Sequence, residues 1–248
     1  MEHRIDRIGY FYFVAGHADP LGALQAALGN YGDVSHSLIV LPEGFNNGRP
    51  YNGADLHDRP QGRGAQIDHR ATLRKLTCIA ESKKVVFVVG ILDGVYNSAY
   101  LAEGGQARLM CRKAGNDGTG NYNPCTADCD KDNPVDFPEA GVSIITSICM
   151  DFSGWARLDS LTEKCGAGRR VLCIPASMSA EYFTGDSHTS GHLLGKYVVL
   201  ANSTQPNRAD CGSFIGSREG RKVARCGPAG AQGGNTIQLC GWSELDGC

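Results

Sequence analysis

Three residues able to do joint chemistry stand at comparable places in the chain: Glu43, Lys113 and Cys149. Each comes at the end of an apolar, β-forming run. Cys149 ends Val142-Ser-Ile-Ile-Thr-Ser-Ile-Cys149, where Ile144, Ile145, Thr146 and Ile148 favour extended backbone. Glu43 follows Ser37–Leu41, and Lys113 follows Leu109-Met-Cys111. Strand ends of one sheet converge on a common rim, so the three can meet although they lie far apart in sequence. A carboxylate near a thiol can take its proton and later return it to a leaving amine. A lysine ammonium beside both favours the thiolate and donates to a developing oxyanion, with the Met150 backbone N–H as a natural second donor. Together they describe acyl transfer through a thioester.

The elements that must hold these residues are legible in outline. Ile8–Ala15 reads as a strand, and Asp19-Pro20 opens a helix through Leu28, with Asp19 as N-cap and Pro20 at the first helical position. Ser37–Leu41 and Val85–Leu92 are buried strands. Between them, residues 44–64 are a loop rich in glycine and proline, and Gln66–Lys83 is a helix. That helix carries Ile67, Ala71, Leu73, Leu76, Ile79 and Ala80 on its apolar face, and Lys83 and Lys84 favour its C-terminal dipole. Tyr96–Ala102 and Ala107–Cys111 form a hairpin around Glu103-Gly-Gly. Residues 114–134 are a long polar loop, a length that is often functional. Beyond the Cys149 strand come a helix near Leu158–Cys165 and strands at Val171–Ile174, Tyr197–Ala201, Cys211–Ile215 and Lys222–Cys226. Helices alternate with strands early and strands dominate late, which predicts one layered α/β domain over residues 1–248.

Composition narrows the class. At 248 residues the chain can bury a full core. A formal net charge of -2 argues against a nucleic-acid binder. Val85–Leu92, the longest apolar run, is far shorter than the ~20 residues a bilayer span needs. No signal-peptide pattern opens the chain, so a reducing cytoplasm is the expected setting. The 11 cysteines are odd in number and scattered, so at least one is free unless chains are cross-linked. Cys78, Cys111 and Cys173 read as small core residues.

Leu41-Pro-Glu43-Gly, Cys111-Arg-Lys113 and Ile148-Cys149-Met-Asp151 resemble, in order and approximate spacing, the three catalytic blocks of the nitrilase (carbon–nitrogen hydrolase) superfamily. Val171-Leu-Cys-Ile-Pro175-Ala176-Ser177, and Tyr197–Asn202 followed by Gly212–Ser217, resemble its later blocks. The resemblance runs from about residue 8 to residue 226. It implies a four-layer α-β-β-α sandwich and a triad of Glu43 as base, Lys113 as oxyanion stabiliser and Cys149 as nucleophile. It also implies hydrolysis of a small amide or nitrile without a metal or organic cofactor. Met150-Asp151, where family nitrilases usually have Trp-Glu, favours the amide. Met150, Phe152 and Ser177 are expected at the substrate, and the family's habit of pairing implies a homodimer or higher homo-oligomer.

The chain also departs from the family pattern. Many members place a second glutamate in the loop after the lysine, whereas residues 114–138 contain none and offer Asp117, Asp128, Asp130 and Asp132 instead. Segment 178–196 carries Glu181-Tyr-Phe-Thr and His188-Thr-Ser-Gly-His192 in place of the usual helix. These departures motivate two rivals: a non-catalytic binding protein on the same fold, and an acyltransferase using the same three residues. Cys125-Thr-Ala-Asp-Cys129 suits a loop with incidental thiols better than a metal site or local disulfide, because no second close Cys pair completes a zinc set. His188 and His192 lack the glutamate of a His-Glu-x-x-His motif, and a Cys149–His188 dyad would leave Glu43 and Lys113 without a role. Gly212–Gly220 lacks the spacing of a phosphate loop and reads as a turn region.

Overall fold

The computed structural model describes residues 4–14, 19–46, 68–115, 124–149, 151, 155–166, 168–176, 193, 195–204, 212–220, 222–226 and 235–247. Strand β1 (Arg7–Val14) leads into helix α1 (Pro20–Tyr31). The Asp19 carboxylate accepts the Gly22 N–H at 2.9 Å, satisfying one of the orphan donors of the first turn, and Pro20 needs no partner there. β2 (Ser37–Leu41) has the predicted bounds. α2 (His69–Lys83) is capped by Asp68 through the Arg70 N–H at 2.9 Å. It stops at Lys84, whose positive φ of 54° turns its N–H back to the carbonyls of Ala80 and Glu81. Gln66 and Ile67, predicted to begin this helix, lie outside the described residues, as do positions 47–64 of the predicted loop.

β3 (Val86–Leu92) precedes the hairpin of β4 (Asn97–Glu103) and β5 (Gln106–Arg112). Gly104 and Gly105 make its turn, with φ of 47° and 80°. β6 (Val135–Phe137), β7 (Val142–Thr146), α3 (Trp155–Glu163), β8 (Arg169–Ala176), β9 (Tyr197–Thr204), β10 (Ser213–Gly216) and β11 (Lys222–Cys226) follow. β12 (Thr236–Gly241) and the short α4 (Trp242–Asp246) end the described chain. Residues 212–220 thus hold a strand and a turn, as expected.

The strands form two mixed sheets. The first has the order β5-β4-β3-β2-β1-β12, and the second β6-β7-β8-β9-β10-β11. In each, three parallel strands sit at the centre (β1-β2-β3 and β7-β8-β9) with antiparallel neighbours outside. Phe13 and Val14 at the end of β1 pair with Ser203 and Thr204 of β9, joining the sheets at one corner.

Alternation along the central strands divides the core in two. Tyr10, Tyr12, Leu38, Val40, Val86 and Val88 point to the second sheet, where Ile144, Val171, Cys173 and Val199 meet them. Phe11, Phe13, Ile39, Leu41, Phe87 and Val89 point the other way, against Leu24 and Leu28 of α1 and Leu76, Ile79 and Ala80 of α2. One prediction fails on this side. Cys78 is exposed, because the helical period turns it outward with Arg74 and Lys75. Cys111 and Cys173 are buried as expected.

One side-chain clamp fixes the end of β7. Buried Asn133 donates from Nδ2 to the Thr146 carbonyl at 2.8 Å and accepts the Thr146 N–H at 2.9 Å, as a neighbouring strand would. Asn133→Ala leaves the Thr146 N–H without that acceptor and its carbonyl with only the weak Cys111 thiol donor, so its urea midpoint should fall by the equivalent of about 2 kcal/mol with the m-value unchanged.

Candidate active site

Glu43 lies in the turn that leaves β2. Three contacts fix that turn. The Glu43 N–H reaches the Ala176 carbonyl of β8 at 3.4 Å, and the Phe45 N–H donates to the Gly90 carbonyl at 2.9 Å. Asn46 then clamps Leu92 at the end of β3, donating to its carbonyl at 2.7 Å and accepting its N–H at 2.9 Å. Phe45 wedges against Phe11 and Phe13. The close approach needs Gly90, since a Cβ there would stand 2.7 Å from the Glu43 Cα and 3.1 Å from the Pro175 Cβ.

Lys113 leaves β5 in extended form, its N–H bonded to the Asn97 carbonyl at 2.8 Å and its carbonyl accepting the Cys125 N–H at 2.9 Å. Its ammonium then turns inward and meets Glu43 Oε1 at 2.8 Å. The Lys113 and Glu43 side chains are only 1% and 8% exposed, so each charge relies on the other for the solvation it has lost. Asn97 Nδ2 donates to the same oxygen. Sequence reading missed Asn97. A lone amide at the head of the strand was its only mark, and it says nothing of Glu43.

β7 stops at Thr146, so Cys149 stands three residues past the strand rather than at its end. The last ladder bond to β8 runs from the Ser147 N–H to the Cys173 carbonyl at 3.1 Å, and the pairing goes no further. A tight turn follows, closed by the Asp151 N–H on the Ile148 carbonyl at 3.0 Å. Cys149 sits at its apex, 5% exposed, with φ of 49°. A left-handed backbone is uncommon for a residue with a Cβ, and such strain gathers at functional sites.

Asp151 ties this turn to the lysine. Its Oδ2 accepts the Ala114 N–H at 2.6 Å and its Oδ1 the Gly115 N–H at 2.8 Å, immediately after Lys113. Arg157 of α3 stands 4.0 Å behind and grips Asp130 through two bonds of 2.9 and 2.7 Å. Burial works against the Arg157 charge, but the hydrogen bonds and charge of Asp130 outweigh it and hold the guanidinium above its ordinary value. So Glu43 and Lys113 meet directly, and the Cys149 turn is fastened to the lysine loop.

Cys78, Cys111, Cys125, Cys129, Cys165 and Cys173 are free thiols. Burial pushes Cys111 up to about 12. Burial and the adjacent Cys125 thiol push Cys129 up to about 11. Such thiols stay protonated and unreactive near neutrality. Among the described residues no cluster of His, Cys, Asp or Glu is arranged to hold a metal ion, and no helix is long and apolar enough to cross a membrane. Met150, Phe152, Ser177, His188 and His192 lie outside the described residues.

The fold defines a class: an α/β protein of two mixed sheets, built like amidases of the nitrilase superfamily. An amidase from Nesterenkonia sp. aligns over 97% of this chain and 91% of its own, with TM-score 0.68 and 16% identity. A cysteine-to-alanine mutant of the amidase from Nesterenkonia sp. AN1, in complex with butyramide, covers 100% and 95% with TM-score 0.67 and 16% identity. A cysteine-to-serine mutant of the AN1 amidase, from the nitrilase superfamily, covers 99% and 95% with TM-score 0.66 and 15% identity. Neither a protein-family model nor a curated protein sequence matches the chain. At these identities the likeness establishes the fold.

Proposed function

We propose that the protein is a thiol hydrolase that cleaves the C–N bond of a small amide through a thioester on Cys149. The observation that carries this reading is the buried Lys113–Glu43 ion pair, fastened by Asp151 to the turn that bears Cys149. In the proposed cycle Glu43 takes the Cys149 proton and the thiolate attacks the amide carbon. Lys113 and the Met150 N–H hold the resulting oxyanion. The C–N bond breaks as Glu43 returns the proton to the departing ammonia or amine. Glu43 then removes a proton from water, the hydroxyl adds to the thioester, and the acid leaves as the thiol regains its proton. No cofactor is called for. Met150 following the cysteine favours an amide over a nitrile. The amidases of the same fold lend support to that choice.

The same proposal includes a four-layer α-β-β-α arrangement, with α3 as the outer layer on the second sheet. Leu158 and Leu161 support it by joining the apolar core. A cytoplasmic setting is consistent with the free thiols. Pairing with a second copy, and substrate contacts by Phe152 and Ser177, complete it.

Intact-mass spectrometry of the protein mixed with acetamide, propionamide or butyramide provides the test. An acyl adduct with ammonia release is expected in the parent protein and neither in Cys149→Ala. No adduct and no ammonia from a full panel of short amides would instead favour the non-catalytic reading. Hydroxylamine captured in place of water would favour the transferase.

A further inference from the structure

We infer that Asn97 is a positioning residue, dividing the labour between the two oxygens of Glu43. This rests on the reading of Glu43 as the proton carrier. Asn97 opens β4 directly opposite Leu92 and is 2% exposed. It touches both members of the ion pair. Its main-chain carbonyl accepts the Lys113 N–H at 2.8 Å, and its Nδ2 donates to Glu43 Oε1. Oε1 therefore receives two donors, the Asn97 amide and the Lys113 ammonium. Among the described residues Oε2 receives none. The carboxylate is held by one oxygen and keeps the other for a proton.

Charge decides which way the Asn97 amide faces. A flipped amide would turn its carbonyl lone pairs onto a carboxylate, so the NH2 must face Glu43. The consequence is visible on the far side, where Asn97 Oδ1 is buried with no hydrogen-bond partner among the described residues. The side chain forgoes that bond and keeps the one to Glu43. Leu92 opposite is itself clamped by Asn46, three residues after Glu43. Asn97 thus sits in a frame that ties the glutamate turn, the end of β3 and the lysine strand together. Without its donor, Glu43 can rotate about its side-chain torsions and present either oxygen. A misplacement of that size at a reacting group costs rate rather than affinity.

Two variants test this. Asn97→Ala should lower kcat about 10- to 100-fold with KM within about twofold. Asn97→Asp has nearly the same size and makes the role titratable. Protonated, the new acid donates to Oε1 as the amide does; ionised, it repels Glu43. The variant should therefore keep most activity at low pH and lose it as pH rises, where the parent protein stays active. Unchanged kcat in Asn97→Ala would overturn the inference, and so would parallel pH profiles for Asn97→Asp and the parent. A second readout needs no amide turnover: the rate of carbamidomethylation by iodoacetamide at Cys149, followed by peptide mass spectrometry to exclude Cys78. Should the parent hydrolyse no amide, the hydrolase reading falls and the alkylation profile decides Asn97. A slope that differs between the parent and Asn97→Asp supports positioning, and identical slopes reject it.

Discussion

Lys113→Met is expected to reduce kcat on a short amide by at least about 10³-fold and to destabilise the fold by about 3–5 kcal/mol at neutral pH. The two losses have different causes. The rate suffers because the ammonium proposed to meet the oxyanion is gone; a single lost donor of this kind costs about 10²–10³ in kcat. Positioning of the proposed base suffers as well, because Glu43 Oε1 keeps only Asn97. Stability suffers because a carboxylate 8% exposed has lost its counter-ion. A double variant separates the two causes. Glu43→Gln combined with Lys113→Met removes both charges and should recover most of the stability while restoring no activity. Urea denaturation and steady-state kinetics on the three variants give the comparison. Lys113→Met with activity within tenfold of the parent would remove the lysine from the mechanism.

What the sequence could show of this site follows from the range of the forces involved. β2 was legible because Ser-Leu-Ile-Val-Leu is a β-branched and aliphatic run that ends at Pro42. The start of α1 was legible because capping by Asp19 is a contact over three residues. The β4–β5 turn was marked by two adjacent glycines. β12 escaped notice although Ile237 and Leu239 alternate with Thr236 and Gln238, buried against exposed. Six residues at the edge of a sheet carry a weak signal, and their partner β1 lies at the far end of the chain. Glu43, Lys113 and Cys149 stood out because each reactive side chain follows a recognisable strand. The groups that support them were hidden. Gly90 matters only because the Glu43 backbone crosses it, and Asn97 only because its amide ends at Oε1. Neither relation leaves a mark within a window of neighbouring residues. The turn at Cys149 is a related case. Apolar continuity through Ile148 suggested a strand to the cysteine, whereas the pairing with β8 runs no further than the bond from Ser147 to Cys173.

Asp151→Ala is expected to lower kcat/KM by about 10²-fold and stability by about 2–4 kcal/mol. Asp151 sits two residues past Cys149, 6% exposed, and both its oxygens are committed to backbone N–H groups of the loop that follows Lys113. The contact is fitted closely: a Cβ on Gly115 would stand 2.7 Å from Oδ1. Removing the carboxylate takes away the acceptor of the Ala114 and Gly115 N–H groups and leaves Asp130 as the carboxylate against Arg157. It also frees two loops to move relative to each other, and those loops carry the proposed nucleophile and the proposed oxyanion donor. A small shift there degrades the attack geometry without touching the substrate. Asp151→Asn should fall between the parent and Asp151→Ala. Its oxygen still accepts one of the two N–H groups, while its NH2 faces the other donor. The active fraction must be counted by Cys149 alkylation, so that unfolded protein is not mistaken for slow enzyme. Folded Asp151→Ala with the kcat of the parent protein would show that each loop holds its own position. In that event the rigidity of the site would have to come from the Asn46 and Asn97 frame on the glutamate side.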